Sequence, residues 1–452
     1  MLGADKNTIL LQYGKQNKYS WASVIAPLEA RGIFDKYNIE LITTRGDLLP
    51  ALERVKNNTA RHHFVFFTVN SYHANKILKG IQKARDFKIE KGLQGKMHLL
   101  AGGPHANVRP AEILAAGADY VFSKEGEVAL VDFFNEFFAN NEKPIKSTPT
   151  PSNFFIPENV PNCHYLHPSN QQVTYTRDAK LVNLDDYPPI AVDHRMFRPI
   201  EITRGCPHGC FFCLTPRIFG YTARHRSIEN IACWIERAVR MKYKRVWFMA
   251  PNAFAYGSKG SKPEPAAIER MLKTIRQING LEEVYFGTFP SEVRPEFVTN
   301  DVLDAVVPHV TNDTFVLGAQ SASPAILKSS HRGHTIEDVW RAIDVITGRG
   351  CKADIDMIFG LPGETPDDDA ANIEFIKQVL ARPGTRIHGH VFMPLPGTMF
   401  ENEKPGTMSP EIMKVIGRYT KDGRVFGQHF VQVKRAIRLS KNGGRPGRES
   451  PI

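Results

Sequence analysis

Two kinds of apolar segment alternate along this chain, in two blocks separated by a proline-rich interval. Short runs without helical period, such as FVFFTV at 64–69 and MHLLAGG at 97–103, read as strands covered on both faces. Between them, YHANKILKGIQKAR places Ile77, Leu78, Ile81 and Ala84 at helical spacing. The first block adds strands at 7–13, 38–43 and DYVF. Its further helices are 22–34, PAEILAAG with Pro110 at its start, and the strongly apolar VALVDFFNEFFA. Such alternation predicts an α/β fold, here a doubly wound, Rossmann-like parallel sheet over residues 1–140 with helices on both faces.

Residues 141–198 break the rhythm with PTPSN, IPENVPN and DDYPPI, and read as a linker holding a hairpin of QQVTYTR with KLVNL. From Pro199 the alternation resumes, with strands at 200–203, 244–249, 283–287, 314–319, 352–358 and 386–393. The helices between them fall at 227–241, 264–279, 295–306, 335–349 and 366–381. This predicts a partial (β/α)6 TIM-type barrel over 199–400, whose chemistry gathers in loops at the C-terminal strand ends. DDDAANIE at 367–374 reads as helix capping and GLPGET as a turn, since it lacks the lysine of a phosphate loop.

Charge sets the last segment apart. Of the net +11, residues 414–452 supply +8 from ten Lys/Arg against two Asp/Glu, leaving +3 for the rest. Residues 401–452 are therefore expected to form a basic extension with a disordered end. It carries little aromatic interleaving, so it argues only weakly for RNA. No apolar run approaches the ~18 residues of a membrane span and the N-terminus lacks a signal-peptide pattern, which predicts no membrane and a cytoplasmic location.

Three of the six cysteines, Cys206, Cys210 and Cys213, fall within eight residues as C-x3-C-x2-C in EITRGCPHGCFFCLTPR. In a reducing compartment such a cluster points to metal. It follows the first barrel strand, with Gly205, Pro207 and Gly209 to wrap the backbone and Phe211 and Phe212 to keep the site dry. Three thiolates around a four-iron cubane leave one iron open, the mark of a catalytic centre. A structural zinc completed by His208 competes, but such sites add a second cysteine pair, and Cys163, Cys233 and Cys351 stand alone. Beside His164, Cys163 is a minor candidate for an auxiliary ligand. A metal-stabilised, RNA-associated protein is the non-enzyme alternative.

On these residues the chain resembles the radical S-adenosylmethionine (SAM) superfamily. The resemblance implies a [4Fe–4S] cluster on the three cysteines and SAM at the open iron. It also implies SAM contacts at Phe212, at Asn252 in MAPNAF, at Gln320 and Ser321 in GAQSASPAILKSSHRGHT, at Asp356 in DIDMIFGLPGET and near Phe392 in HVFMPLPGT. An electron donor such as ferredoxin or flavodoxin is implied too.

The first block, through FVFFTVNSYHANKIL, LLAGGPHANVRPAEIL and GADYVFSKEGE, resembles the cobalamin-binding domain fused ahead of such barrels. That implies cobalamin contacts at Asn70, Ser71, Gly102, Gly103, His105, Gly126 and Glu127. The first loop, QYGKQNKYSW, lacks the cobalt-ligating histidine of many cobalamin proteins, so cobalt has no protein imidazole or the domain binds no cobalamin. The combined resemblance implies methylation of an unactivated carbon in a small-molecule, peptide or cofactor-precursor substrate. Its alternative is rearrangement, cyclisation or sulfur insertion with a vestigial cobalamin domain.

Overall fold

The computed structural model describes residues 7–14, 17–42, 47–58, 60–141, 154–197 and 199–443. It divides into two compact units, Met1–Arg198 and Pro199–Ile452.

In the first unit β1 (Asn7–Gln12), α1 (Lys18–Ala30), β2 (Tyr37–Ile42), α2 (Leu48–Lys56) and β3 (His63–Thr68) lead into α3 (Ala74–Glu90), β4 (Met97–Gly102), α4 (Pro110–Ala115), β5 (Tyr120–Phe122) and α5 (Gly126–Asn141). The five strands pair in parallel in the order β2-β1-β3-β4-β5. This is the doubly wound sheet expected from the alternation. Strand residues alternate between its faces. Phe64 and Phe66 pack with Trp21 of α1 and Phe133, Phe134 and Phe137 of α5. Val65 and Phe67 pack with Leu52 of α2 and Ile77, Leu78 and Ile81 of α3. The strand order reverses between β1 and β3, and loops at that end form the ligand crevice of such sheets.

Two further strands, β6 (Cys163–Leu166) and β7 (Val173–Tyr175), extend the sheet antiparallel beyond β5. This corrects the expected hairpin. QQVTYTR turns back on CHYL rather than on KLVNL, closed by His167 N–H to the Gln172 carbonyl at 2.9 Å. KLVNL is held instead by Val182 N–H donating to Glu125 Oε2 at 2.7 Å, and Asn183 caps a short 3-10 turn.

The second unit opens with β8 (Ile200–Glu201), β9 (Thr203–Arg204), α6 (Thr215–Phe219), β10 (Arg224–His225), α7 (Ile228–Arg240), β11 (Arg245–Met249), α8 (Pro265–Arg276), β12 (Glu283–Tyr285) and α9 (Asn300–Val306). It continues through β13 (Thr314–Gln320), α10 (Pro324–Ser329), α11 (Ile336–Thr347), β14 (Lys352–Phe359), α12 (Pro366–Ala381) and β15 (Thr385–Val391). It ends with α13 (Pro410–Thr420), β16 (Val425–Phe426) and α14 (His429–Gly443). β8, β11 and β12 pair in parallel, as do β13, β14, β15 and β16. Val316 N–H donates to the Gly287 carbonyl at 2.9 Å and links the two sets. The result is the partial barrel that the six βα units imply.

Thr365 caps α12 in a capping box with Asp368, as the acidic start suggested. The C-terminal segment also folds, since β16 pairs in parallel with β15 through Ile387 and Val425. The expected disordered end, 444–452, lies outside the described residues. Among the described residues no helix is long and apolar enough to cross a membrane.

Candidate functional site

The three cysteines are free thiols on the loop that leaves β9. The loop is fixed from several sides. Cys206 N–H donates to Gly220 O at 3.1 Å, Cys213 N–H to Cys210 O at 3.0 Å and Phe211 N–H to Ser330 O at 3.0 Å. His331 Nδ1 donates to the His208 carbonyl at 3.0 Å, and its ring stacks on Phe211 with centroids 5.2 Å apart. Phe212 packs against the buried cluster of Ile326, Leu361 and Phe392.

Gly205 has φ +84°, and a Cβ there would stand 2.2 Å from the Thr222 carbonyl oxygen. Gly205→Ala combines backbone strain with that clash, each of which costs on the order of 1–3 kcal/mol. It is expected to lower the urea midpoint and the iron retained on reconstitution, and wild-type values for both would refute this account.

Two guanidiniums converge on one sulfur. Arg294 Nη1 and Arg332 Nη1 each lie 3.5 Å from Cys210 Sγ, and both residues are buried. Burial pushes the Cys210 thiol up, but Arg332 and Arg294 outweigh it and the net shift is downward. Burial lifts Cys206 and Cys213. Arg332 Nη2 donates to Gly318 O at 2.6 Å, and a Cβ on Gly318 would stand 2.7 Å from that nitrogen. Glu296 accepts from Arg294 Nε at 2.6 Å and faces His334 Nδ1 at 3.7 Å. Burial, with the two arginines, depresses His334 to about 2.

This environment suits an anionic iron–sulfur centre. Buried positive charge faces a thiol triplet, while Arg332 Nε and Asn252 Nδ2 are buried donors with no partner among the described residues, open to a carboxylate or carbonyl ligand.

The other expected SAM contacts are distributed around this end of the barrel. Asn252 Oδ1 accepts from Arg294 N–H at 3.2 Å, which ties it to the Cys210 environment. Gln320, at φ +74°, ends β13 with its amide crowding Gly318. Ser321 turns its hydroxyl to Asn372 of α12 at 3.4 Å. Phe392 donates its N–H to Phe359 O at 2.9 Å and accepts from Gly406 N–H at 3.0 Å.

Asp356 pairs across the ladder with His388, whose Nδ1 lies 2.8 Å from its Oδ1. Burial raises Asp356, but His388 and His390 pull it below its usual value. Desolvation and the Asp356 carboxylate push Glu292 up. His390 Nε2 lies 3.9 Å from Asp356, which completes a two-histidine, one-carboxylate group. Gln432 decides how to read that group. Its Oε1 accepts from Val391 N–H at 2.8 Å, so its Nε2 must donate to His390 Nδ1 at 3.3 Å. The His390 proton then sits on Nε2, and that nitrogen offers Asp356 a donor rather than a metal lone pair.

Sequence reasoning missed Arg294, Arg332, Glu296, Glu292, His388 and His390. Their local signals were EVRPEF, HRGH and HGH; the two histidines of HGH share a strand face, but nothing local sets Asp356 beside them.

In the first unit the expected cobalamin contacts follow β3, β4 and β5. Asn70 caps a short helix by accepting from Tyr72 N–H at 3.1 Å. Ser71 Oγ lies 3.0 Å from His105 Nδ1, and His105 Nε2 lies 3.2 Å from Glu112. Gly103 has φ +101°, where a Cβ would stand 2.8 Å from the Val69 carbonyl. Gly102 approaches Phe122 O, Gly126 begins α5 and Glu127 is buried beside it. The first loop closes as Asn17 Nδ2 and Trp21 Nε1 both donate to Gln12 O; residues 15–16 within it lie outside the described residues. Cys163 is buried in β6 of this unit.

Residues 200–376 match the Radical SAM superfamily. Curated relatives include the tRNA-2-methylthio-N(6)-dimethylallyladenosine synthases of Aquifex aeolicus and Carboxydothermus hydrogenoformans. The first is 27% identical over 233 residues, 50% of each chain; the second is 28% identical over 251 residues, 55% of this chain and 52% of that one. The chain thus spans about half the length of the curated relatives it matches.

Among solved structures it resembles the radical S-adenosylmethionine methyltransferase TsrM from Kitasatospora setae, with cobalamin and a [4Fe-4S] cluster bound. The TM-score is 0.63 at 13% identity, covering 88% of this chain and 78% of that one. It also resembles the cobalamin-dependent S-adenosylmethionine radical enzyme OxsB, with aqua-cobalamin bound, at TM-score 0.64 and 15% identity, covering 97% of this chain and 62% of that one. At these identities the likeness is one of fold. A matched superfamily segment that contains the cysteine loop, the two arginines and five barrel strands leads to one conclusion: the second unit of this chain carries a radical SAM domain, residues 200–376.

Proposed function

We propose that this chain is a cobalamin-dependent radical SAM methyltransferase acting on an unactivated carbon of a small-molecule, peptide or cofactor-precursor substrate in the cytoplasm. The observation that carries the reading is the pairing, in one chain, of the β2-β1-β3-β4-β5 sheet with the cysteine-loop barrel. The likeness in fold to TsrM and OxsB extends over both units and supports it.

Under this reading Cys206, Cys210 and Cys213 hold the [4Fe–4S] cluster, which with SAM supplies radical initiation once reduced by a ferredoxin- or flavodoxin-like donor. Arg294 and Arg332 compensate its charge, and Phe211 and Phe212 shield it from water. Asn252, Gln320, Asp356 and the Phe392 backbone orient SAM, with Ser321 acting through Asn372. Asn70, Ser71, Gly102, Gly103, His105, Gly126 and Glu127 line the cobalamin crevice.

Anaerobically reconstituted protein given SAM and dithionite is expected to form 5′-deoxyadenosine and S-adenosylhomocysteine, the latter only with cobalamin. A second reading, sulfur insertion with an unused cobalamin domain, draws on the similarity to the tRNA-modifying synthases. Products unchanged by cobalamin, in protein that retains none, would favour it and overturn the first.

A further inference from the structure

The structure assigns to Arg294 a task that the cysteine motif does not contain: it is a permanently charged hydrogen-bond donor to the Cys210 sulfur that raises the reduction potential of the cluster held there. The inference rests on the cluster-binding reading of the three cysteines.

All three nitrogens of the Arg294 fork are committed to protein. Nε donates to Glu296 Oε1 at 2.6 Å, Nη2 to the Arg332 carbonyl and Nη1 to Cys210 Sγ at 3.5 Å. The residue is 4% exposed. An arginine cannot shed its proton under such burial, so a full positive charge sits against the sulfur in a medium that screens it weakly. Arg332 touches the same sulfur but keeps a buried Nε without a partner among the described residues, and so retains a donor for a bound ligand. Each Arg294 nitrogen, by contrast, already has a protein partner. The part of Arg294 is to act on the cluster.

Reduction adds one electron, hence one negative charge, to the centre. A neighbouring cation and an N–H donor to a ligand sulfur stabilise the reduced form more than the oxidised form. Glu296, which orients Arg294 through Nε, places an opposing negative charge one residue further out. The two side chains must therefore shift the potential in opposite directions, whereas a purely structural role would shift it one way or not at all.

The test uses wild-type, Arg294→Gln and Glu296→Gln chains, anaerobically reconstituted to about four irons each. Each is poised at a series of potentials without SAM, and the reduced cluster is read by electron paramagnetic resonance. Arg294→Gln is expected to shift the midpoint downward, cutting the ratio of reduced to oxidised cluster at the wild-type midpoint about tenfold, which is ~59 mV for one electron. Glu296→Gln is expected to shift it upward. An unmoved midpoint in loaded Arg294→Gln, or shifts of the same sign in both variants, overturns the inference and leaves the cluster reading standing. If Arg294→Gln fails to retain iron, Glu296→Gln decides, and the absence of an upward shift overturns it. A wild-type chain that takes up no four-iron centre overturns both.

Discussion

Cys210→Ser is expected to strip most of the iron from the reconstituted protein and to cut 5′-deoxyadenosine formation by at least ~10²-fold. Partners beyond the ligands of metal sites typically cost 10–100-fold when removed, so loss of a ligand should start near the top of that range. The effect at Cys210 has two sources. Serine is a poor donor to iron at neutral pH because its hydroxyl stays protonated and hard where a soft thiolate is needed. It also leaves Arg294 and Arg332 facing a neutral group, and an uncompensated buried charge costs on the order of 3–5 kcal/mol. Cys210 should therefore be the most sensitive of the three, ahead of Cys206 and Cys213. Cys233→Ser is the control, since that thiol is exposed on α7, and its iron and nucleoside yield should match wild type. Iron content and nucleoside formation both unchanged in Cys210→Ser would remove the basis for the proposed chemistry.

What was legible in the sequence was whatever repeats at short range. The strand–helix alternation is a periodic signal, and it located the parallel sheet and the barrel, as apolar runs such as FVFFTV must be covered on both faces. The cysteine triplet was legible because all its members lie on one loop. The charged surroundings of that loop were not. Arg294 comes from the segment after β12 and Arg332 from the turn after α10, 84 and 122 residues from Cys210, and only barrel closure brings them together. The Gly318 case is similar. A lone glycine in a strand suggests a close approach, but nothing local says that the visitor is the Arg332 guanidinium. Ser321 was legible as a polar residue at the end of its strand, but its partner Asn372, from a helix 51 residues on, was not. The hairpin misassignment has the same origin, since KLVNL has strand character but Glu125 captures its backbone.

Acid should destabilise the first unit through a histidine group at the end of the sheet opposite the crevice loops. His63 lies at the start of β3, with its Nδ1 accepting from Thr8 N–H at 3.2 Å, and is 2% exposed. His62 Nδ1 meets His98 Nε2 at 3.2 Å, a contact in which one nitrogen must donate and the other accept. His98 stacks on Phe64, and His62 stands edge-on to Phe137. Burial depresses all three, with further opposition from Arg61 for His62, from Lys96 for His63 and from Lys88 for His98; His63 is held down to about 4. The unfolded chain takes up these protons near pH 6.5 while the folded one does not. Below that pH the unfolded state binds more protons, so stability falls as pH drops from about 6.5 towards the folded value of about 4. For His63 alone, after a discount for residual solvent screening, the loss between pH 7 and pH 5 is roughly 1–2 kcal/mol. His63→Gln keeps an acceptor for Thr8 and removes the titration. The measurement is the difference in urea unfolding free energy between wild type and this variant at the two pH values, because cluster loss and carboxylate protonation, at Glu29 and Glu112 among others, affect both proteins alike. Wild type should lose more stability than the variant, and parallel curves would show that His63 is not a source of acid sensitivity.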